Sequence, residues 1–283
     1  MTRILQIMVF SCAGLALSGC NGSEKNKPIW EDIKIGDLAP TKNGKRLDTQ
    51  LLKTINFDVH IFEIPAENTK KLDDIRRTLS GKPLRFYDYN AFSANLFSIG
   101  FAQIQSLDQI LFLLHVADGK KARTVSIMLP SGQTDDLAIA TLRNKQTISY
   151  IPTDESTESV TIGPGQFSLR IKAEKISDRT CNVTALPVFS PPTASPISQL
   201  APLRKSRDFF FTAAGFRLKM SPGDFIFLAP QKYVSNKATL GTLFFNKPEG
   251  SLFFSKPEYG QPPKAKHKPA VRVFLLICTG IIN

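Results

Sequence analysis

Between Phe167 and Glu174 apolar and polar residues alternate without a break, with Phe167, Leu169, Ile171 and Ala173 set against Ser168, Arg170, Lys172 and Glu174. Successive side chains of an extended chain point to opposite faces, so this pattern demands a strand with one face covered and one face in water. Ser177-Asp178-Arg179 can turn the chain into Cys181-Asn182-Val183-Thr184-Ala185, which completes a hairpin. Other strand-like runs lie at 146–151 and 160–162, the latter closed by the turn Gly163-Pro164-Gly165. Residues 216–220 and 225–228 read as a second hairpin around Ser221-Pro222-Gly223-Asp224. Residues 271–278 are continuously apolar in their second half, which suits the middle of a packed sheet. Segment 190–202 places four prolines among Ser, Thr and Ala, a composition for an exposed crossing loop and not for a central strand. The expectation for residues 131–283 is a mostly β, sandwich-like domain.

Residues 55–130 have a different rhythm. Phe57-Asp58-Val59-His60-Ile61-Phe62-Glu63-Ile64 is β-rich and ends at Pro65, while Leu72, Ile75 and Leu79 recur at helical spacing up to Ser80-Gly81. Strands are expected at 84–89 and 95–101. Ser106-Leu107-Asp108-Gln109 then has the form of a capping box, opening a helix whose Leu107, Ile110, Leu111 and Leu114 make one apolar face. Asp118-Gly119 ends that helix and 124–129 follows as a strand. The order β-α-β-β-α-β allows a small sheet with both helices on one face, the split arrangement of ferredoxin-like modules. The fold class expected for the whole chain is therefore α+β, with this module followed by the β sandwich.

The run Asn95-Leu96-Phe97-Ser98-Ile99-Gly100, followed by Ile104, Leu107, Ile110, Leu114 and Asp118, also resembles the ring-building modules of secretins. The resemblance covers residues 55–130. It implies a module that stacks side by side with others in a periplasmic ring, helix face against a neighbour's sheet. One such module does not carry an activity.

The N-terminus constrains location. One positive charge, Arg3, precedes an apolar run from Ile4 to Leu17, the plan of a signal-peptide core. At 1.5 Å per residue this run reaches about 21 Å, short of the roughly 30 Å hydrocarbon layer, so a spanning helix is the poorer reading. The run ends in Leu17-Ser18-Gly19-Cys20, which resembles the lipobox of bacterial lipoproteins. That resemblance implies removal of residues 1–19 as a signal peptide and acylation of Cys20, with palmitate among the chains. Several chains, at about 0.8 kcal/mol per buried methylene, anchor a protein stably. Asn21 stands where an Asp would retain the protein at the inner membrane, so either the cell membrane or the outer membrane is allowed, on the exported side. Residues 20–54, rich in Gly, Pro and Lys, read as the lipidated Cys followed by a flexible tether.

The formal net charge is +12, and loss of residues 1–19 lowers it by one because only Arg3 goes with them. A basic exported protein suits acidic partners such as lipid head groups, polyanionic envelope polymers or acidic protein faces. Nucleic acid is not expected, since the basic residues are spread along the chain and no recognition motif is present. Of four cysteines, Cys12 leaves with the signal and Cys20 is acylated. Cys181 and Cys278 then remain where a disulfide can persist, although the apolar runs around them equally suit two buried thiols.

No cofactor, metal or catalytic residue is expected. His60, His115 and His267 share no metal-ligand spacing, and no cysteine pair stands at C-x-x-C spacing. Asp73-Asp74 and Asp135-Asp136 are neighbours whose side chains diverge, and no G-x-S-x-G elbow presents a serine. The aromatic clusters Phe209-Phe210-Phe211, Phe244-Phe245 and Phe253-Phe254 fit either a sandwich covered on both faces or an assembly surface. Together these features point to a lipid-anchored, non-catalytic interaction or assembly component of the bacterial envelope, in a secretion-type complex, with a protein partner and with homo-oligomers allowed. The alternative is an envelope-polymer hydrolase whose site is built from residues distant in sequence.

Overall fold

The computed structural model describes residues 53–152, 156–192, 208–247 and 268–282. The expected signal peptide, Cys20, nearly all of the expected tether, most of the expected proline-rich loop, Phe253, Phe254 and His267 lie outside the described residues.

The strand at the C-terminal end organises the first sheet. Strand β1 (Thr54–Pro65) and β13 (Ala270–Ile282) pair antiparallel along their whole lengths. Outside them come β4 (Lys120–Pro130) on β1, and β12 (Asp224–Pro230) then β3 (Phe97–Gln103) on β13, giving the order β3-β12-β13-β1-β4. Every pairing is antiparallel. The second sheet has the order β2-β11-β9-β8-β5, from β2 (Arg85–Phe86), β11 (Phe216–Met220), β9 (Thr180–Ser190), β8 (Gly165–Ser177) and β5 (Thr134–Leu142). The short β10 (Phe209–Phe210) adds to β9, and β6 (Gln146–Tyr150) pairs with β7 (Glu158–Ile162) as a separate ribbon.

Strand parity assigns the layers. In β1 the odd-numbered Ile55, Phe57, Val59 and Ile61 enter the core between the sheets, where they join Leu169, Ile171, Val183 and Leu218 of the second sheet. The even-numbered Phe62 and Ile64 face the other way, into a second core beneath α1 (Leu72–Thr78) and α3 (Leu107–Val116). Strand β13 does the same, with Phe274, Leu276 and Cys278 between the sheets and Val271, Val273, Leu275 and Ile277 under the helices. The molecule is thus mostly β, a sandwich of antiparallel sheets with two helices covering one outer face.

Several expectations change. The described residues pack as one unit, and β12 and β13 stand between β3 and β1, so the expected division at residue 130 does not coincide with a division of the core. The β-α-β-β-α-β order gains a helix, α2 (Tyr89–Ala94), started by Asp88, whose carboxylate accepts from the Ala91 N–H. The strand expected at 84–89 shrinks to β2, which joins the second sheet through β11. Both longer helices pack over one face of the first sheet, an arrangement that such an order allows.

Ser106 makes no side-chain cap; a short 3₁₀ turn at Ile104–Ser106 leads into α3 instead. At the other end Asp118, and not Gly119, takes the left-handed backbone at φ 56°. The Asp118 N–H donates to His115 O and the Gly119 N–H to Leu114 O at 2.8 Å, the paired bonds of a Schellman cap. Asp tolerates this φ, and the Asn68 amide donates to its carboxylate.

The second expected hairpin is instead a passage between sheets. Strand β11 buries alternate residues, as an outer layer with one wet face requires, whereas every residue of β12 is buried. Two such strands cannot be neighbours in one sheet open to water. The turn at 221–224 therefore carries the chain from one sheet to the other, with Gly223 at φ 91° and the Asp224 carboxylate accepting from the Ser221 N–H. Phe244 and Phe245 are both fully buried on α4 (Leu240–Phe245), capped by Thr239 and Thr242, so this aromatic pair is core; Phe210 alone of the 209–211 cluster is exposed.

Candidate functional site

Among the described residues, strands β8, β9 and β11 of the second sheet present on its outer face the polar half of their alternation. Cross-strand register lines these residues up. Lys172 of β8 stands opposite Thr184 of β9, Thr184 opposite Arg217 of β11, and Arg217 opposite Arg85 of β2. A second row runs Glu174, Asn182, Lys219. With neighbouring strands about 4.8 Å apart, the first row spans roughly 14 Å.

The segment from Gly81 to Arg85 rises beside this face and brings Lys82 over it, closing a groove of about 640 Å³. Lys82, Arg85, Arg217, Lys219 and Glu174 all line the groove, four cations against one carboxylate. Tyr87, exposed, lies against the Arg217 guanidinium at 5.2 Å from the ring centroid, a cation-π contact that holds the arginine upright on the sheet.

Charge pairing separates these cations from their neighbour Arg170 on the same face. Arg170 donates twice to Asp136, at 2.7 Å each, and pairs with Asp208 at 2.8 Å. Those bonds, that to Asp136 above all, hold its guanidinium further above the usual arginine range. Phe210 covers it at 5.3 Å. Among the described residues, by contrast, Lys82, Arg85, Lys172, Arg217 and Lys219 form no ion pair, and all five are exposed. Among the described residues the arrangement is a cationic surface with Glu174 as its one lining carboxylate.

Among the described residues, the histidines and acid pairs weighed from the sequence are not brought together. The ring of His60 shares a hydrogen bond with Thr124 Oγ1 at 2.9 Å, and burial lowers its pKa, with Lys121 adding and Asp58 opposing. His115 is exposed on α3. Asp73 pairs with Arg76 and Asp74 with Arg77 along α1, while Asp136 is taken by Arg170. Among the described residues no group of three or more His, Cys, Asp and Glu is placed to hold a metal, and no helix is long and apolar enough to cross a membrane. Cys181 and Cys278 are both buried free thiols between the sheets.

The groove was not singled out from the sequence. Its signal was present in the polar half of two alternating strands, Lys172 with Glu174 and Arg217 with Lys219, but their adjacency depends on β11 pairing with β9.

No protein-family model and no curated protein matches the sequence. Among solved structures, the InvG secretin domain β-barrel from the Salmonella SPI-1 injectisome NC-base is similar over 82% of this chain, at 11% identity and a TM-score of 0.19. The chain spans 64% of that structure's length. A likeness this slight transfers neither fold nor function.

Proposed function

We propose that this chain is a lipid-anchored envelope protein that works by binding, and that the cationic groove on the open face of its second sheet receives an acidic segment of a protein partner. The observation that carries this reading is the set of four exposed cations on register rows, Arg85, Lys172, Arg217 and Lys219, with Lys82 beside them, all without ion-pair partners among the described residues and next to an arginine on the same face that is fully paired. Such a surface repels itself until an anionic chain neutralises it, and the strand register spaces its charges to match an extended acidic segment. The lipobox-like Leu17-Ser18-Gly19-Cys20 would hold the protein at the membrane on its exported side. The resemblance of Asn95-Leu96-Phe97-Ser98-Ile99-Gly100 to secretin ring modules makes a secretion-type assembly the setting we favour.

The test uses the detergent-purified mature chain and poly-L-glutamate as the probe, followed by fluorescence anisotropy. Arg217→Glu with Lys219→Glu is expected to weaken binding by at least about tenfold and to flatten its salt dependence. Lys120→Glu with Lys121→Glu, the same charge change on β4 of the other sheet, is expected to change it far less. Equal losses from the two pairs would mean that net charge, and not this groove, attracts the probe.

Anchoring is tested separately. Cys20→Ser is expected to abolish labelling by radioactive palmitate and to move the protein out of the membrane fraction. Equal labelling of variant and wild type would remove the lipid anchor from this reading.

A further inference from the structure

We infer that Cys181 and Cys278 are a disulfide-forming pair which, once oxidised, staples the two sheets of the sandwich together beside the turn that joins them. Cys181 lies on β9 in the second sheet and Cys278 on β13 in the first; both point into the core between the sheets and neither is exposed to solvent.

Packed sheets stand about 10 Å apart, too far for most disulfides, whose Cα atoms lie about 4.4–6.8 Å apart. A bridge therefore fits only where the sheets converge, and the turn at 221–224 marks such a corner. Met220, the last residue of β11, is the cross-strand partner of Cys181, whose thiol donates to the Met220 carbonyl at 3.5 Å. Inside the turn the Gly223 N–H donates to the Cys278 carbonyl at 2.8 Å, and the Asp224 N–H closes back on Ser221 O at 2.9 Å. A turn closed by that bond brings its first and last Cα atoms within about 7 Å. Met220 and Gly223, three residues apart, thus hold one cysteine from each sheet, and each thiol is the chief influence on the other's proton affinity.

The chemistry is thiol–disulfide exchange with an external disulfide, of an oxidoreductase or of glutathione, as oxidant. The thiolate of one cysteine attacks the external disulfide and forms a mixed disulfide, releasing one thiol. The second cysteine then attacks the protein sulfur of that mixed disulfide, the S–S bond forms and the second thiol leaves. The pair loses two electrons and two protons, and the oxidant is reduced to two thiols. In the closed sandwich this is slow, because neither sulfur meets solvent. The neighbouring Cys181 thiol, and then burial, also push the Cys278 thiol well above the ordinary cysteine range. Oxidation belongs to the folding chain, before the sheets close.

In the cell this pairing rests on the exported location proposed above, so two preparations separate the two ideas. Full-length protein purified from the envelope is alkylated in denaturant without reductant, digested and examined by mass spectrometry for a peptide linking Cys181 to Cys278. A second sample is reduced, denatured and refolded with oxidised and reduced glutathione. The linked peptide is expected in both. Its presence only in the refolded sample would overturn the exported location and keep the pair; its absence from both would overturn the pair. Dithiothreitol is also expected to lower the melting temperature of the oxidised protein by on the order of 10 °C, as befits a closed loop of about a hundred residues, and to leave Cys181→Ala/Cys278→Ala unchanged. An unchanged melting temperature of the linked wild type would show that the bridge does not staple the sheets.

Discussion

Removal of residues 271–283 is expected to leave no folded protein. Strand β13 lies between β12 and β1, so its loss frees two strand edges inside the first sheet. It also empties both cores at once: Val271, Val273 and Leu275 leave the layer under the helices, and Phe274, Leu276 and Cys278 leave the layer between the sheets, each at most 2% exposed. Each apolar side chain of this size contributes about 1.5–3 kcal/mol when buried, against a total stability of about 5–15 kcal/mol for an ordinary domain. Arg272 adds a tie across the sandwich, donating to Ile139 O at 2.7 Å. Circular dichroism and limited proteolysis of the truncated chain check this. A cooperative melt near that of the full-length protein would mean that the remaining strands close without β13.

Phe244→Ala is expected to destabilise the protein by about 3–5 kcal/mol, the range for an aromatic deleted from a closed core. Phe244 is fully buried and stands among rings from both sheets, with Phe97 at 5.0 Å and Phe274 at 5.3 Å in the first and Phe167 at 5.9 Å in the second. Phe245, its neighbour on α4, lies 4.9 Å away. Because the cluster is shared by two sheets and a helix, no single element can shift to fill the space. At roughly 2–4 °C per kcal/mol for a chain of this size, a fall in melting temperature on the order of 10 °C should be seen by calorimetry. Phe210→Ala, which removes the exposed ring of the 209–211 cluster, serves as the comparison and should cost about 1 kcal/mol or less, most of it the ring contact with Arg170. Equal effects from the two would show that the cluster is not closed.

The groove shows where sequence reading stops for function. Lys172, Arg217 and Lys219 are separately unremarkable exposed cations on alternating strands, and a surface cation on a basic chain has no meaning until its neighbours are known. Register supplies them: β9 lies between β8 and β11, so Thr184 and Asn182 carry the cationic row from one strand to the next. The same holds for the cysteines. Each lies in an apolar run that would bury it in any packing, but their meeting depends on two strands of different sheets converging at one turn.

What the sequence determined by itself was the number of covered faces on each strand. Alternation at 167–174 made β8 a strand with one dry face, and the unbroken apolar half of 271–278 made β13 an inner strand; both are properties of the chain's own period. The partners were decided only by tertiary structure. A hairpin reading of 216–228 was locally sound, since turn residues stand between two strand-like runs, yet β12 is buried on both faces and β11 on one. A strand dry on both faces is stable only with cover on each side, which the first sheet offers between α1 and α3 on one face and the second sheet on the other. Periodicity reports that cover is needed, and burial of the whole molecule selects what provides it.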